Sequence, residues 1–381
     1  MPDKKMKEIG GMMTQFQFST IFTERRKELK LTQEEVAQFV GVSRAAVSKW
    51  EKGLSYPDIT LLPKLAMYFD LSIDTLLGYK PQLTKERIHQ LYTELAKKFT
   101  EQSFEEVVEE IDVLIHEYYS CYPFLMKMAQ LYLNYLQLAL DVEQVAERIF
   151  AICERVKQNA DDIQLLQEAT AFEATVHIVL KQPEKVIELL GDQPTIEFNY
   201  DALIVSALTM LQQPQQAKQI IQVNSYQRLL VLISSLTEVI MLELDNPDYV
   251  DETVHRVEIL VQQFEVETLN VSALLVFYLR AATAYMLQKR LDRATAMLEK
   301  YLKTCLNMKF PLTLSGGTYF YLVQDWMENQ QVVMQQAPRD EQSIKNDLLK
   351  AISDNPLLQP LLEQQVLRML FKNVEHYLKG V

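Results

Sequence analysis

Thr32-Gln33-Glu34-Glu35-Val36-Ala37-Gln38-Phe39-Val40-Gly41-Val42-Ser43-Arg44-Ala45-Ala46-Val47-Ser48-Lys49-Trp50-Glu51-Lys52-Gly53 reads as two short helices around a tight turn. Thr32 is placed to cap the first helix through its side-chain oxygen, and Glu35, three residues on, completes a capping box. Gly41 ends that helix where a positive φ is cheap. Ser43 caps the second, which runs to about Lys52 and stops at Gly53. At ~100° per residue, Arg44, Ala45, Ser48, Lys49 and Lys52 fall within about 140° of one another, while Val47, Trp50, Ala46 and Ser43 take the opposite side. Glu51 lies on the border. One face is therefore basic or small and hydrogen-bonding, and the other carries apolar anchors. A helix that enters a DNA major groove with its back packed on a domain needs this division.

Working outward, similar words continue in order. Arg26-Lys27-Glu28-Leu29 precedes the stretch, and Tyr56-Pro57-Asp58-Ile59, Leu65-Ala66 and Leu71-Ser72-Ile73-Asp74-Thr75-Leu76-Leu77-Gly78 follow it. With these, residues 18 to 79 resemble the helix-turn-helix domain of phage-repressor-like regulators, the XRE or Cro/CI type. The resemblance spans about a sixth of the chain. It implies contact with double-stranded DNA and gives each exposed side chain a role. Arg44, at the start of the recognition helix, suits a bidentate contact to guanine O6 and N7. Lys49, about one turn on, is the second base-contact candidate, and Ala45 suits a thymine methyl. Gln33, Ser43, Ser48 and Lys52 suit phosphates and fix register.

The flanks complete a five-helix domain. A first helix is expected from Phe18 to Leu29, with Ile21, Phe22 and Leu29 inward. Thr60 is the expected cap of the next element, with Pro63 in its first turn, where proline removes no helical hydrogen bond. Leu61, Leu62, Leu65, Ala66 and Phe69 make its buried face. Ser72 caps a last short helix with Ile73, Leu76 and Leu77 inward. Residues 1–17 read as a polar lead-in, either a basic arm or a stretch ahead of a true start at Met12 or Met13. Residues 80–84 read as a linker, and residues 85–381 as a second domain.

The 381 residues include 48% apolar side chains, nine glycines and fifteen methionines, which favours an all-α protein of two or more domains. The net charge of -13 is divided: residues 1–80 hold 12 Lys/Arg and 10 Asp/Glu, which leaves 26 and 41 for the rest. DNA binding is therefore expected to be local to the N-terminal domain. Cys121, Cys153 and Cys305 are odd in number and widely spaced, as reduced thiols of a cytoplasmic protein are. No uninterrupted apolar run reaches the ~18 residues of a membrane span, and the polar start does not read as a signal peptide. The five histidines stand in no ligand spacing, no phosphate-cradling glycine loop is present, and carboxylates share helix faces with Lys and Gln. The expectation is a non-enzyme that needs no cofactor or metal.

After Thr84 short polar turns recur at 100–103, 141–144, 181–184, 212–215, 245–248 and 288–290, each between amphipathic stretches. Helical hairpins at that spacing imply a solenoid, because one hairpin cannot bury its apolar face alone. Ala282, Tyr285, Ala294, Leu298 and Tyr301 resemble a tetratricopeptide (TPR) repeat, and Ala146, Val186 and Ala217 can stand where Ala294 stands. Gly316-Gly317 interrupts the series. Residues 343–379 read as terminal capping or dimerising helices.

A helix-turn-helix followed by a TPR-like α-solenoid of helical hairpins resembles the peptide-pheromone receptors of the RNPP family. That resemblance implies a homodimer on a palindromic operator and a short signalling peptide on the concave face of the helical domain. It offers Asn134, Tyr135, Tyr278 and Arg280 as pocket residues. Two other readings stand beside it: a protein-interaction adaptor, and an antitoxin-like repressor whose helical domain holds a partner protein.

Overall fold

The computed structural model describes residues 17–78, 82–194, 196, 198–330 and 339–379. The lead-in before Gln17, and Tyr79 with the first two linker residues Lys80 and Pro81, lie outside the described residues. All regular elements among the described residues are helices. The chain divides into two compact units: one runs up to Thr84 and adds Glu109–Met126, and the other comprises Lys85–Val108 with Lys127–Val381.

The first unit contains α1 (Phe18–Glu28), α2 (Gln33–Val40), α3 (Arg44–Glu51), α4 (Leu62–Tyr68) and α5 (Ile73–Leu77). Local chemistry sets their ends. Thr32 and Glu35 form the expected reciprocal capping box, Gly41 takes φ 81° after α2, and Ser43 accepts from the Ala46 amide to start α3. Ser72 caps α5 in the same way. Phe18, Phe22, Val36, Ala37, Val47, Trp50, Leu65, Phe69 and Leu76 fill one core. Three expectations change. Leu29 and Ile73 sit in the last turn and first turn of their helices and are exposed. The cap before α4 is Asp58, which accepts from the Thr60 amide and hydroxyl and starts a 3-10 turn, Ile59–Leu61, ahead of the helix. A carboxylate at that position outcompetes the neighbouring hydroxyl as an acceptor.

Two helices divide between the units: α7 (Phe104–Glu117), which follows α6 (Lys85–Lys98), and α8 (Tyr122–Tyr135). The second unit continues with α9 (Val142–Asn159), α10 (Ile163–Val179), α11 (Pro183–Leu190), α12 (Tyr200–Met210), α13 (Pro214–Leu242) and α14 (Pro247–Gln263). It closes with α15 (Val266–Leu269), α16 (Val271–Leu287), α17 (Leu291–Asn307), α18 (Val323–Gln330), α19 (Glu341–Ser353) and α20 (Gln365–Lys379). The expected hairpin turns recur in structure: Lys181, Gln212 and Lys289 each adopt a left-handed φ near 57–60° between paired helices. Ala282, Tyr285, Ala294, Leu298 and Tyr301 are all buried where α16 packs on α17, as are Ala146 and Ala217 in their own hairpins; Val186 is only half-buried. Gly316 needs to be glycine, since a Cβ there would lie 2.1 Å from the Phe320 carbonyl oxygen.

The C-terminal helices act as a cap. Leu349, Ile352, Leu367, Val374 and Leu378 join the same core as α16 and α17. Cys121, Cys153 and Cys305 are free and buried, and burial pushes the Cys153 and Cys305 thiols up to about 12. One helix differs from the sequence expectation: the 29-residue α13 is long and apolar enough, by length and composition, to cross a membrane. Its scattered Gln, Ser and Thr interrupt every apolar run without making the helix polar. Its row Tyr226, Leu229, Ile233 and Ile240 belongs to the core shared with α14 and α16.

Candidate functional site

The site begins with α3. Val47 and Trp50 are buried, with the Trp50 ring edge-on to Phe22 at 6.0 Å, so the helix is fixed by its back. Arg44, Ala45 and Lys49 are exposed along its front, Ser48 is half-buried, and Lys52 is exposed at the C-cap. The predicted division of faces is the observed one.

Glu51, on the border in sequence, turns inward. Its carboxylate accepts from Arg26 Nε at 2.5 Å and from Gln33 Nε2 at 2.7 Å, and Arg26 Nη1 also donates to the Leu31 carbonyl at 2.6 Å. Burial raises the Glu51 pKa, but the two hydrogen bonds and the charges of Arg26 and Lys27 outweigh it and hold the carboxyl below its ordinary range. One carboxylate thus ties α1, α2 and α3 together. It also removes the only acidic side chain of α3 from the exposed face. Gln33, read from sequence as a phosphate contact, is anchored by this network at the start of α2. Arg26, Thr32, Gln33, Glu34 and Arg44 line a depression of about 490 Å³ between the two helices of the motif. Sequence reasoning missed Arg26 and Glu51 as a pair, since they stand 25 residues apart.

The second unit holds the other candidates. Asn134 Nδ2 donates to Tyr92 Oη at 3.0 Å. Tyr135 is buried and stacked on Phe99 at 4.2 Å, and its hydroxyl meets the Ala96 carbonyl and Asp340. Burial first, and then the Asp340 charge, push the Tyr135 phenol up to about 12. Tyr278 is buried near the Glu258 and Glu267 charges, whereas Arg280 is exposed 3.7 Å from Glu238. The two pairs therefore have different neighbours.

A cavity of about 400 Å³ lies between α16 and α19. Ser272, Leu275, Val276 and Leu279 of α16 form one wall, and Ile344, Asp347, Leu348 and Ala351 of α19 form the other. Arg339 stands at its edge, ion-paired with Asp347 and with its guanidinium 5.9 Å from the centre of the Tyr135 ring. Arg339 Nε is buried and has no hydrogen-bond partner among the described residues. A buried donor without an acceptor costs free energy unless a ligand or water supplies one. No spacing in the sequence brings residues 272 and 347 together, so this cavity was not foreseen. Among the described residues no group of His, Cys, Asp and Glu could hold a metal ion.

A helix pair with a tied-down back and a basic, exposed front defines a DNA-reading helix-turn-helix module. Known proteins agree: residues 23–76 match the Helix-turn-helix family. The chain is 47% identical over 47 residues to an uncharacterized HTH-type transcriptional regulator of Methanothermobacter thermautotrophicus, which covers 12% of this chain and 68% of that protein. It belongs to the HTH-type transcriptional regulators, a family of regulators and not of enzymes. It is also 39% identical over 67 residues to the HTH-type transcriptional activator BcrR of Enterococcus faecalis, covering 16% of this chain but only 33% of BcrR. The match thus spans about a third of that relative. Beyond the motif, the apo form of the competence regulator ComR from Streptococcus vestibularis aligns over 83% of this chain and 98% of its own. The identity is 13% and the TM-score 0.27, too low to transfer a fold or a ligand.

Proposed function

We propose that the chain is a sequence-specific transcriptional regulator, dimeric on a palindromic operator, whose hold on DNA is controlled by a short signalling peptide in the helical domain. The observation that carries the DNA-binding part is the front of α3, where Arg44, Ala45 and Lys49 are exposed while Glu51 is turned away. Arg44 reads a base edge, Lys49 a second, and Ala45 a thymine methyl; Gln33, Ser43, Ser48 and Lys52 hold phosphates. A domain this small reads only a few base pairs, so useful selectivity calls for two copies on a two-fold site.

The α16–α19 cavity supports the ligand part. Its walls are mainly apolar, with Ser272 and Asp347 among them, its size lies within the range of ligand pockets, and Arg339 Nε awaits an acceptor such as a peptide carbonyl or carboxylate. Tyr278 and Arg280 sit on the helix that forms one wall, and Tyr135 lies under Arg339. None of the four residues of the sequence proposal lines the cavity, and Asn134 donates to Tyr92 instead.

The test is binding to DNA upstream of the protein's own gene over a salt series, with and without the small-peptide fraction of spent medium. Arg44→Ala is expected to cost ~1 to 3 kcal/mol at one base position, whereas Lys52→Ala weakens all sequences alike and lowers the salt slope by about one. Equal losses on specific and random DNA for Arg44→Ala remove its base-reading role. Arg339→Ala is expected to abolish the response to the peptide fraction and leave binding in its absence unchanged; an unaltered response removes the cavity from the mechanism.

A further inference from the structure

Between Val176 and Ala217 the second unit has no buried residue among those described, although large apolar side chains are frequent there. Both α11 and α12 bury nothing. Helix α12 shows why. Its half-buried side chains Asp201, Val205 and Leu208 turn to one side, and Asp201 pairs with Arg228 of α13 at 2.5 Å. Tyr200, Leu203, Ile204, Met210 and Leu211 fall within about 120° of one another on the other side. They are 45–83% exposed. The most apolar stripe of this helix therefore faces away from its own fold. Ile187 and Leu190 of α11 are likewise exposed.

We infer that this surface is where a second copy of the chain docks, with α11 and α12 of each protomer covering those of its partner. The inference rests on the proposed function for its purpose, since an operator of two-fold symmetry needs a dimer, but not for its evidence. Eleven large apolar side chains are exposed from Ile178 to Leu211. At on the order of 100 Å² each they present ~1,000 Å² per copy, against ~800 Å² per partner in a standard stable interface. Monomers rarely leave so large an apolar patch open.

Charge selects the occupant. The chain carries a net charge of -13, so two copies repel through most of their surfaces. From Phe198 to Thr237 the only charged residues are Asp201, Lys218 and Arg228, and Asp201 is already paired. Two copies can meet through α12 without like-charge repulsion, and α11 adds charges of both signs, Glu184 beside the ion pair of Lys185 with Glu188. Geometry agrees as well: α11 packs on α10 and α12 on α13, so each hairpin has one open side. In a solenoid a neighbouring hairpin covers that side. The C-terminal helices, the other dimerising candidate, place Leu349, Ile352, Leu367, Val374 and Leu378 in the core of their own chain and expose a shorter apolar row, Val366, Met369 and Tyr377.

Sedimentation equilibrium of the full chain, without DNA, tests the inference. The wild type is expected to be a dimer in the low micromolar range, and Leu203→Glu and Met210→Glu are each expected to raise the dissociation constant roughly tenfold or more. Both positions are exposed in the protomer, so unchanged circular dichroism and melting are expected to accompany the loss. Val366→Glu, at an exposed position of α20, is expected to leave the dimer intact. A wild type that stays monomeric overturns the inference. So does a dimer that survives both α12 substitutions, or one that only Val366→Glu dissolves, which would assign the interface to the C-terminal helices. Because no DNA is present, failure here leaves the regulator reading untouched, and failure to find an operator leaves the dimer result standing.

Discussion

Helices α3 and α12 are of similar length, eight and eleven residues, and stand in opposite relation to their surroundings. Helix α3 has buried Val47 and Trp50, and what remains outward is charge and small side chains. Helix α12 has buried nothing, and what remains outward is an apolar stripe. An exposed polar face beside a complete core attracts partners through charge and hydrogen bonds. An exposed apolar face beside an incomplete core gains by desolvation. The two surfaces therefore differ in salt response: binding through α3 is expected to weaken steeply as salt rises, and association through α12 is expected to hold.

The largest expected effect breaks this comparison at its base. Trp50 packs edge-on to Phe22, which in turn meets Phe18 and Phe69 at 5.1 Å each. Trp50→Ala opens a cavity in that cluster and is expected to cost ~3 to 5 kcal/mol of stability in the first unit. Leu203→Ala, which removes a side chain of comparable apolar character from α12, is expected to stay within about 0.5 kcal/mol in the isolated protomer. Urea melts at a concentration where the protein is monomeric make the comparison. Similar losses would mean that α12 is already covered by its own chain.

Much of α3 was legible because its determinants are local. The capping box spans three residues, the faces follow the helical period, and Gly41 marks a turn that needs a positive φ. The same period puts Tyr200, Leu203, Ile204, Met210 and Leu211 on one face of α12 but gives that face no direction, because periodicity says which side chains share a face and not what covers it. The distant ties were invisible for a related reason. Glu51 meets Arg26 and Gln33 across 25 and 18 residues, and the α16–α19 cavity joins Ser272 to Asp347. No short spacing encodes these meetings. Asp58 displaced Thr60 as a cap because two acceptors stood two residues apart, and spacing alone did not show that the carboxylate would accept from Thr60 itself.

The tie at Glu51 sharpens the comparison. Its side chain is 11% exposed and that of Arg26 13%, so the pair is largely removed from water. Glu51→Gln leaves the Arg26 charge without its partner and is expected to cost about 2 to 3 kcal/mol. It is also expected to loosen Gln33, so that specific DNA binding falls further than stability alone explains. Asp201→Asn breaks the corresponding tie of α12, but Arg228 is half exposed and can return to water. That change is expected to cost less than about 1 kcal/mol. Thermal melts of the two variants against wild type measure the difference, and a larger loss for Asp201→Asn would reverse the ranking of the two helices.

A further modest effect concerns a hairpin whose neighbours are all in place. Asp251 of α14 accepts from Arg290 at 2.5 Å and from the Tyr285 hydroxyl at 2.8 Å, stapling α14 to α16 and to the turn before α17. Burial raises its pKa, but these bonds and the charges of Arg290 and Arg293 outweigh it, so the folded carboxyl titrates below its ordinary range. A depressed carboxyl pKa stabilises the fold above the unfolded-state value of ~3.9 and loses that contribution as pH falls through the folded value. Asp251→Asn is expected to cost about 1 kcal/mol at neutral pH, after allowance for the partial exposure of the group. The gap between variant and wild type is expected to narrow as pH falls below ~4, where the unfolded wild type takes up the proton first, and to close as the folded carboxyl titrates. Urea midpoints of both proteins from pH 7 to pH 3 make the test. A gap that stays constant with pH would mean that Asp251 acts through packing, and the staple would then distinguish this hairpin from α11 and α12 by shape alone.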